Sequence, residues 1–352
     1  MKNVLQEIQQ YFLTGSLVCL VVFTACRHKP VIITEAQPVY ITDTTPNDTD
    51  DPAIWINKTH PEKSLIIGTD KGDSTGGIFV FDLKGKLIPS LCLRNLSRPN
   101  NMDVEYGFRY QQNIIDIAVF TERGKNKIRV VAVPDFKFID NGGIEVFVGE
   151  ADSLRQPMGI GLYRDKENNI YAFVSRKNGP KTGYIHQYQL FCKDSAVEAK
   201  FIRKFGEFSG VKEIESIVVD DELGYIYYSD EGVGVRKYYA DAHKGNRQLA
   251  LFATTGISQD HEGLSIYSLS NGKGYIILSD QQANEFHVFS RKGSWFNPHN
   301  HKLLKIVKAK TDESDGSEIT SFPLNADFPK GIFVAMSSDK TFQYYRAEDI
   351  LP

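Results

Sequence analysis

Three aspartates, Asp48, Asp50 and Asp51, stand close together in the stretch TPNDTDDPAIWI, directly before an apolar segment that is typical of a β-strand. A turn needs one aspartate at most, because a single side-chain oxygen can accept a hydrogen bond from the backbone two residues on. The surplus of like charge therefore indicates another use. Carboxylate oxygens are the ligands that hard cations such as Ca²⁺ prefer.

Charged and amide side chains recur at similar places along the chain. One set precedes short apolar segments and comprises Asp50, Asp51, Asn100, Asn101, Asp103, Glu213, Glu215, Asp260, Glu262, Asp312 and Asp315. A second set lies in bends between two apolar segments and mixes both signs of charge: Asp70, Lys71, Glu122, Arg123, Arg176, Lys177, Asp230, Glu231 and Asp280. What these residues can do depends on the elements that position them.

Strand patterns dominate the chain after residue 38, and they repeat. An apolar strand, a charged bend and a second apolar strand form a unit, as in LIIGTDKGDSTGGIFVFDL at 65–83 and IIDIAVFTERGKNKIRVVAV at 114–133, and six such units occur. A further short strand precedes each unit and an outer strand follows most of them, so four strands recur at roughly 50-residue intervals. The pattern predicts an all-β, six-bladed β-propeller. The sixth unit lacks an outer strand, which VYIT at 39–42 is predicted to supply, closing the ring.

Blade geometry predicts where the charged residues meet. Neighbouring strands of a blade run antiparallel, so the start of the first strand and the end of the second lie at one edge. The two sets are therefore predicted to gather on one face of the disc. Such a ring of carboxylates needs cations, and oxygen ligands favour Ca²⁺ over zinc or copper. The basic residues among them suit phosphate. The alternative, acids that only terminate turns, does not require a shared face.

Composition and the N-terminus limit the other possibilities. With 41 Lys+Arg against 44 Asp+Glu in 352 residues, the net charge of -3 gives no general attraction to nucleic acid. The run LTGSLVCLVVF is typical of a signal-peptide apolar region, and FTAC resembles a bacterial lipobox ending at Cys26. We therefore expect a lipoprotein signal peptide at 1–25, a tether at 26–38 and one propeller domain at 39–352. Lipidation of Cys26 would anchor an exported protein to the bacterial cell envelope, with no other membrane contact.

The motifs DTDDPAIW, RPNNMDVEYGF, ERGKN, DDELGYIYYSDE, DHEGLSIY and ESDGSE occur in the order and spacing of one known family. Over about residues 42 to 345 the chain resembles the β-propeller phytases, secreted Ca²⁺-dependent hydrolases of myo-inositol hexakisphosphate (phytate). The resemblance implies several bound Ca²⁺ ions and phytate or another inositol phosphate as substrate. We expect a monomer. Met158 stands where the family commonly has a tyrosine, and Ser216 where it usually has a glycine.

Residue by residue, the motifs imply a site. The predicted metal ligands are Asp50, Asp51, Glu215, Asp230, Asp260, Glu262, Asp312 and Asp315. The predicted substrate-binding residues are Lys71, Arg123, Arg176 and Lys177, and the predicted catalytic residues are Lys71, Arg123, Glu215 and Asp312. Arg176 is included because it shares the charged bend with Lys177.

The expected reaction is 3-phytase activity, in which a water molecule bridging calcium ions attacks a phosphomonoester directly. Two alternatives stay open at this point. A calcium-dependent propeller lactonase or diesterase would use the metals without the basic residues, and a surface lipoprotein would use the propeller only to bind a partner. The string GxSxG at residues 72–76 lies in a strand-to-strand bend rather than before a helix, which disfavours a serine hydrolase.

Overall fold

The computed structural model describes residues 31–352. The predicted signal peptide at 1–25 and Cys26 lie outside this range. Residues 31–352 form six sheets of four or five strands each, and the predicted six-bladed β-propeller is confirmed. No helix in the described range is long and apolar enough to cross a membrane.

The strands follow in chain order. Two short ones come first, β1 (Ile32–Glu35) and β2 (Tyr40–Ile41). The first blade comprises β3 (Thr49–Trp55), β4 (Leu65–Asp70), β5 (Gly76–Phe81) and β6 (Leu93–Leu96). The second comprises β7 (Pro99–Tyr110), β8 (Asn113–Glu122), β9 (Lys127–Val133), β10 (Lys137–Phe138) and β11 (Ile144–Glu145). The third comprises β12 (Pro157–Arg164), β13 (Ile170–Arg176), β14 (Thr182–Lys193) and β15 (Ala196–Glu207).

The remaining blades repeat the arrangement. The fourth comprises β16 (Ile217–Asp220), β17 (Tyr225–Asp230), β18 (Gly234–Tyr239) and β19 (Ala250–Phe252). The fifth comprises β20 (His261–Ser268), β21 (Gly274–Asp280), β22 (Glu285–Ser290) and β23 (Leu303–Lys308). The sixth comprises β24 (Ser317–Ile319), β25 (Ile332–Ser337) and β26 (Thr341–Arg346), followed by the single-turn helix α1 (Ala347–Ile350). Short 3₁₀ turns occupy Pro61–Lys63, Pro89–Leu91, Arg123–Lys125, Asp152–Leu154, Ala242–Lys244, Ser270–Gly272 and Gln281–Ala283.

The N-terminal strands complete two blades. β2 pairs antiparallel with β26, with Tyr40 opposite Tyr344, so the predicted ring closure by residues 39–42 is confirmed. β1 pairs in parallel with β23, the outer strand of the fifth blade. The segment predicted as a tether therefore contains a paired strand at Ile32–Glu35. This strand supplies backbone hydrogen bonds to a sheet edge that would otherwise be open.

The core lies between neighbouring blades, where apolar side chains from both sheets interdigitate. Between the second and third blades, Val119 and Val130 belong to the same buried cluster as Ile160 and Val174. Where the ring closes, the blades approach so closely that a Cβ added at Gly68 would lie 2.1 Å from the ring of Phe342. This close packing fixes the six sheets relative to one another and holds their edges in one ring.

The strand register confirms that first strands begin, and second strands end, at one edge. Thr49 is opposite Asp70, Pro99 is opposite Glu122, and His261 is opposite Asp280. A β-bulge follows each of these starts, between Thr49 and Pro52 in the first blade. A bulge adds an unpaired residue and re-aims the side chains beside it. We call this side of the disc the charged face.

Candidate functional site

The residues at the six strand starts form the centre of the charged face. Equivalent places in the six blades hold Asp50, Asn100, Met158, Glu215, Glu262 and Asp315. Five of these side chains carry oxygen ligands, and the remaining one, Met158 of the third blade, is a buried methionine. The five residues with oxygen ligands and three neighbouring acids make a group that we call the central cluster: Asp50, Asn100, Glu213, Glu215, Glu231, Asp260, Glu262 and Asp315.

Lys71 lies between two members of the central cluster, Asp50 of the first blade and Asp315 of the sixth, where the ring closes. Its Nζ is 3.1 Å from Asp50 Oδ1 and 2.7 Å from Asp315 Oδ2, and it is also 3.7 Å from Asp48 Oδ2. Burial disfavours its charge, but Asp50 and Asp315 outweigh that penalty and raise the pKa of Lys71. Lys71 therefore joins the first and sixth blades through its ion pairs with Asp50 and Asp315.

Asn100 and three glutamates continue the cluster across the face. Asn100 Nδ2 donates to Asp50 Oδ2 at 3.0 Å and to Glu215 Oε1 at 3.3 Å, so it bridges two carboxylates. Carboxylate oxygens of Glu213, Glu215 and Glu231 lie within 4.8 Å of one another. Three carboxylates at this separation repel one another unless protons or a cation are present.

Asp260 and Glu262 of the fifth blade complete the cluster. Asp260 pairs with Lys212 and accepts a hydrogen bond from Gln282 Nε2 at 2.7 Å. Glu262 is buried, and the carboxylates of Glu231 and Glu215 act on it together with that burial to raise its pKa well above the usual range. The central cluster thus extends from the first blade to the sixth.

Burial and crowding raise the pKa of several carboxyl groups in this cluster. Burial, followed by the charge of Asp50, raises the pKa of Glu215 well above its usual range. Burial and the neighbouring Asp260 raise the pKa of Glu231 to about 7. Burial also raises the pKa of Asp315, although Lys71 acts against it. The cation-free cluster is therefore short of positive charge.

The donor set of the central cluster fits a hard cation. Among the described residues, buried acceptor atoms without a hydrogen-bond partner include Asn100 Oδ1, Glu213 Oε2 and Glu231 Oε1. Such orphaned oxygens are costly to bury, and together with the adjacent carboxylates they offer the all-oxygen environment that Ca²⁺ requires. The cluster residues can hold metal ions, and their oxygen chemistry favours calcium over softer metals.

Basic side chains lie beside the central cluster. Burial and the nearby Arg98 lower the pKa of Arg123, whereas Glu215 opposes that shift. Burial and Arg123 likewise lower the pKa of Lys177, which contacts Glu213. Within the described chain, the Arg123 guanidinium makes no hydrogen bond or ion pair. We call Arg98, Arg123 and Lys177 the anion patch, because cations that repel one another favour a shared anion.

The structure does not bring Asp230 and Arg176 to the central cluster. Asp230 is fully buried at the end of β17, where it accepts hydrogen bonds from Ser209 N at 3.0 Å and from Arg236 Nε at 2.8 Å. Arg176 is fully buried at the end of β13, with Nη1 3.2 Å from Glu150 and its guanidinium over the ring of Phe147. Both residues are therefore committed to structural contacts.

The last residue of each second strand follows one rule in all six blades. Its side chain is buried and forms a hydrogen bond with the backbone of the loop that precedes the first strand. Asp70 accepts from Asn47 N at 2.8 Å, and Asp280 accepts from Ser258 N at 2.9 Å. The following residue faces the site instead, as Lys71 does. By this rule Glu231, rather than Asp230, is the acid that the bend after β17 contributes to the central cluster.

Asp51 and Asp312 also lie away from the central cluster. Asp51 lines the central channel, where it accepts from Met102 N at 3.0 Å and burial raises its pKa well above the usual range. Asp312 is exposed in the loop before the sixth blade, and its carboxylate accepts a hydrogen bond from Ser338 at 2.5 Å. Neighbouring aspartates on an extended chain point to opposite sides, which separates Asp51 from Asp50.

Most of the predicted residues do meet on the charged face: Lys71, Arg123, Lys177, Asp50, Glu215, Asp260, Glu262 and Asp315. The residues that the predicted set missed are Arg98, Asn100, Lys212, Glu213 and Glu231. Asn100, Glu213 and Glu231 stand at the strand starts and bends of the sequence pattern, and that position could have identified them as site residues. Arg98 carries a positive φ of 53°, and nothing in the local pattern marked it as functional.

A six-bladed propeller whose face joins a carboxylate cluster to an anion patch is suited to the class of enzymes that act on phosphate esters. Comparison with known proteins agrees with that class. A family model described as Phytase matches residues 3–345, nearly the whole chain, and the chain belongs to the phytase family.

A curated relative is similar over most of its length. The 3-phytase of Bacillus subtilis (strain 168) is 32% identical over 316 residues, which cover 87% of this chain and 78% of the relative. The resemblance noted in the motifs is thereby confirmed, and it extends over all six blades.

Proposed function

We propose that this protein is a calcium-dependent 3-phytase, a phosphomonoesterase that removes phosphate from myo-inositol hexakisphosphate. One observation carries the proposal: the central cluster and the anion patch share a border, where Lys177 contacts Glu213, a carboxylate that lies within 4.8 Å of those of Glu215 and Glu231. A substrate with several adjacent phosphates can therefore place one phosphate over the cluster and another over the patch. Family membership and the 3-phytase relative support the same activity.

The chain's own residues divide into two tasks. Asp50, Glu215, Glu231, Glu262 and Asp315 would hold the metal, and bound calcium supplies positive charge to the phosphoryl oxygens and acidifies the attacking water.

Arg123 has unused donors and is suited to bind the oxygens of the phosphate being cleaved. Lys71 keeps Asp50 and Asp315 in place and adds positive charge at the same position. Arg98 and Lys177 are suited to hold a neighbouring phosphate.

Phosphate release from phytate tests this function. The purified protein is assayed in saturating Ca²⁺ and after chelation by EGTA, with a lactone and a phosphodiester as alternative substrates. We expect release of phosphate only with calcium and no turnover of the other two substrates. Calcium-dependent turnover of the lactone or diester without phosphate release would favour the propeller lactonase or diesterase alternative. Calcium binding without turnover of any substrate would favour a binding protein.

We also propose that the protein is exported and anchored through a lipid on Cys26. The support is the sequence FTAC after an apolar run of signal-peptide length. Native protein should partition with membranes, and Cys26→Ser should abolish lipid labelling. A mature N-terminus at another residue would contradict the proposal, and release of the protein from membranes by high salt or alkaline carbonate, without detergent, would contradict the anchor.

A further inference from the structure

A second group of ligand-type side chains lies between the second and third strands of the fifth blade. Asp280 ends β21, and Glu285 and His287 stand on β22. One ligand atom from each residue lies within 4.8 Å of the other two. Asp280 and His287 are both only 1% exposed, whereas the Glu285 side chain is 20% exposed, so Glu285 opens the group to solvent.

The polar atoms of this group lack the partners that buried groups normally have. His287 Nε2 lies 3.8 Å from Asp280 Oδ2 and 3.6 Å from Glu285 Oε2, which is too far for a hydrogen bond. Over residues 31–352, neither His287 Nε2 nor Asp280 Oδ1 has a hydrogen-bond partner. The imidazole nitrogen that faces both carboxylates is thus unpartnered, and the Asp280 carboxylate beside it retains one unpaired oxygen.

In two other blades, an arginine balances the charge of the acid at the end of the second strand. In the second blade Arg129 donates to Glu122 at 2.8 Å, and in the fourth Arg236 donates to Asp230 at 2.8 Å. Each arginine pairs with the residue two positions before the acid, and His287 holds the same place in the fifth blade. The fifth blade therefore lacks the arginine that neutralises this acid in the second and fourth blades.

The same blade adds a negative charge. Glu285 is the register partner of Asp280, whereas the corresponding partner of Glu122 is Lys127. Lys308 from β23 faces Glu285 at 3.7 Å, but its side chain is more than half exposed, so that pair is weak. Two carboxylates therefore share a partly buried site without a built-in cation.

Spacing and chemistry both suit a metal ion. Burial lowers the pKa of His287, although the charges of Asp280 and Glu285 oppose that shift. Two tetrahedral ligands bound at about 2.1 Å lie about 3.4 Å apart, close to the separations found here. Imidazole with carboxylates suits zinc and related metals, while Ca²⁺ takes oxygen ligands only.

We propose that Asp280, Glu285 and His287 bind a divalent transition-metal ion of the Zn²⁺ type, at a site distinct from the central cluster. The ion would supply the positive charge that arginine supplies in the second and fourth blades. His287→Arg recreates that arrangement and should therefore fold while losing the metal site.

Zinc titration of calcium-saturated protein tests the proposal. The purified protein is stripped with EDTA, reloaded with saturating Ca²⁺ so that the oxygen sites are filled, and titrated with Zn²⁺, with Co²⁺ absorption as a second probe. We expect one ion per chain. His287→Arg should weaken binding by more than about 100-fold, since even an outer-shell partner of a metal ligand is worth about 10- to 100-fold. His60→Gln is the matched control, because His60 lies 3.6 Å from Glu62 in an exposed pair.

Glu285→Gln provides a second variant on the exposed side of the site, and it should weaken Zn²⁺ binding by at least about tenfold. Absence of Zn²⁺ binding to calcium-saturated wild type would overturn the proposal. So would retention of the ion by both His287→Arg and Glu285→Gln. A Co²⁺ spectrum typical of a hexaaqua or all-oxygen octahedral site would also overturn it, because nitrogen ligation is then missing.

Discussion

Replacing Lys71 by methionine tests whether the central cluster depends on an internal cation when calcium is absent. The ammonium group lies 2.7 Å from Asp315 and 3.1 Å from Asp50, and Asp50 is only 1% exposed. Removing one partner of a buried ion pair costs about 3–5 kcal/mol, because the other charge is left uncompensated. The Lys71 side chain is 17% exposed, so we take the lower end, about 3 kcal/mol. Methionine preserves the apolar stem.

The effect should depend on calcium. At about 2 °C per kcal/mol for a domain of this size, the variant should melt about 6 °C below wild type in EGTA. In saturating Ca²⁺ the metal compensates Asp50 and Asp315, and the deficit should shrink to about 2 °C. Calcium should therefore raise the melting temperature of Lys71→Met by about 4 °C more than that of wild type.

Calorimetric melts of both proteins in EGTA and in calcium measure this difference. Lys86→Met is the matched control, since Lys86 pairs with Asp43 at 3.0 Å but its side chain is 71% exposed. That variant should change the stability by less than about 1 kcal/mol in either condition. An equal loss of stability for Lys71→Met in EGTA and in calcium would refute the reasoning, because Lys71 would then act through packing alone.

The remaining predictions concern the other charged groups. Arg123→Ala should lower kcat for phytate by about 10²- to 10³-fold, because its unused donors serve the transition state; an unchanged kcat would remove it from the reaction. Lys177→Ala should raise KM for phytate more than for p-nitrophenyl phosphate, and equal effects would exclude contact with a second phosphate. Asp230→Asn should lower the melting temperature equally in EGTA and in calcium, whereas Glu215→Gln should weaken calcium binding. Weakened calcium binding by Asp230→Asn, with none by Glu215→Gln, would identify Asp230 as a ligand instead. In EGTA the melting temperature should fall from pH 4.5 to about 7, because the raised pKa of Glu231 makes the folded state bind more protons than the unfolded state. A rise over that window would contradict the assignment.

The repeat and its closure were predictable because each depends on backbone pairing. Alternating apolar segments with a fixed period specify six sheets, and the missing outer strand of the sixth unit required a donor, which Tyr40–Ile41 supplies. The strand at Ile32–Glu35 was missed for a physical reason. It has only four residues, is largely exposed and pairs in parallel with an edge, so it carries no alternating pattern.

Side-chain direction at the bends was the part of the site that the sequence left open. Successive residues of a strand point to opposite sides, so an error of one residue exchanges a site-facing group for a buried one. Asp230 and Glu231 differ in this way: Asp230 is buried and Glu231 faces the site. The same alternation explains why Lys177 reaches the site while Arg176 does not. Aligning the bends would have helped, because the inward residue is acidic in four of the six blades and bonds a backbone N–H in each of those four.

The structure separates two kinds of buried acid by what balances their charge. Glu122 and Asp230 have arginine partners within 2.8 Å, and their role is to hold loops in place. The acids of the central cluster share too few lysines, and burial raises the pKa of Glu215, Glu231, Glu262 and Asp315, so the cluster is suited to a cation from solution. Asp280 occupies a loop-holding position but lacks the arginine, and with Glu285 it belongs to the proposed metal site. Among the end-of-strand acids of the second, fourth and fifth blades, the residue across the ladder therefore separates an arginine pair from the proposed metal site, and His287→Arg should convert one into the other.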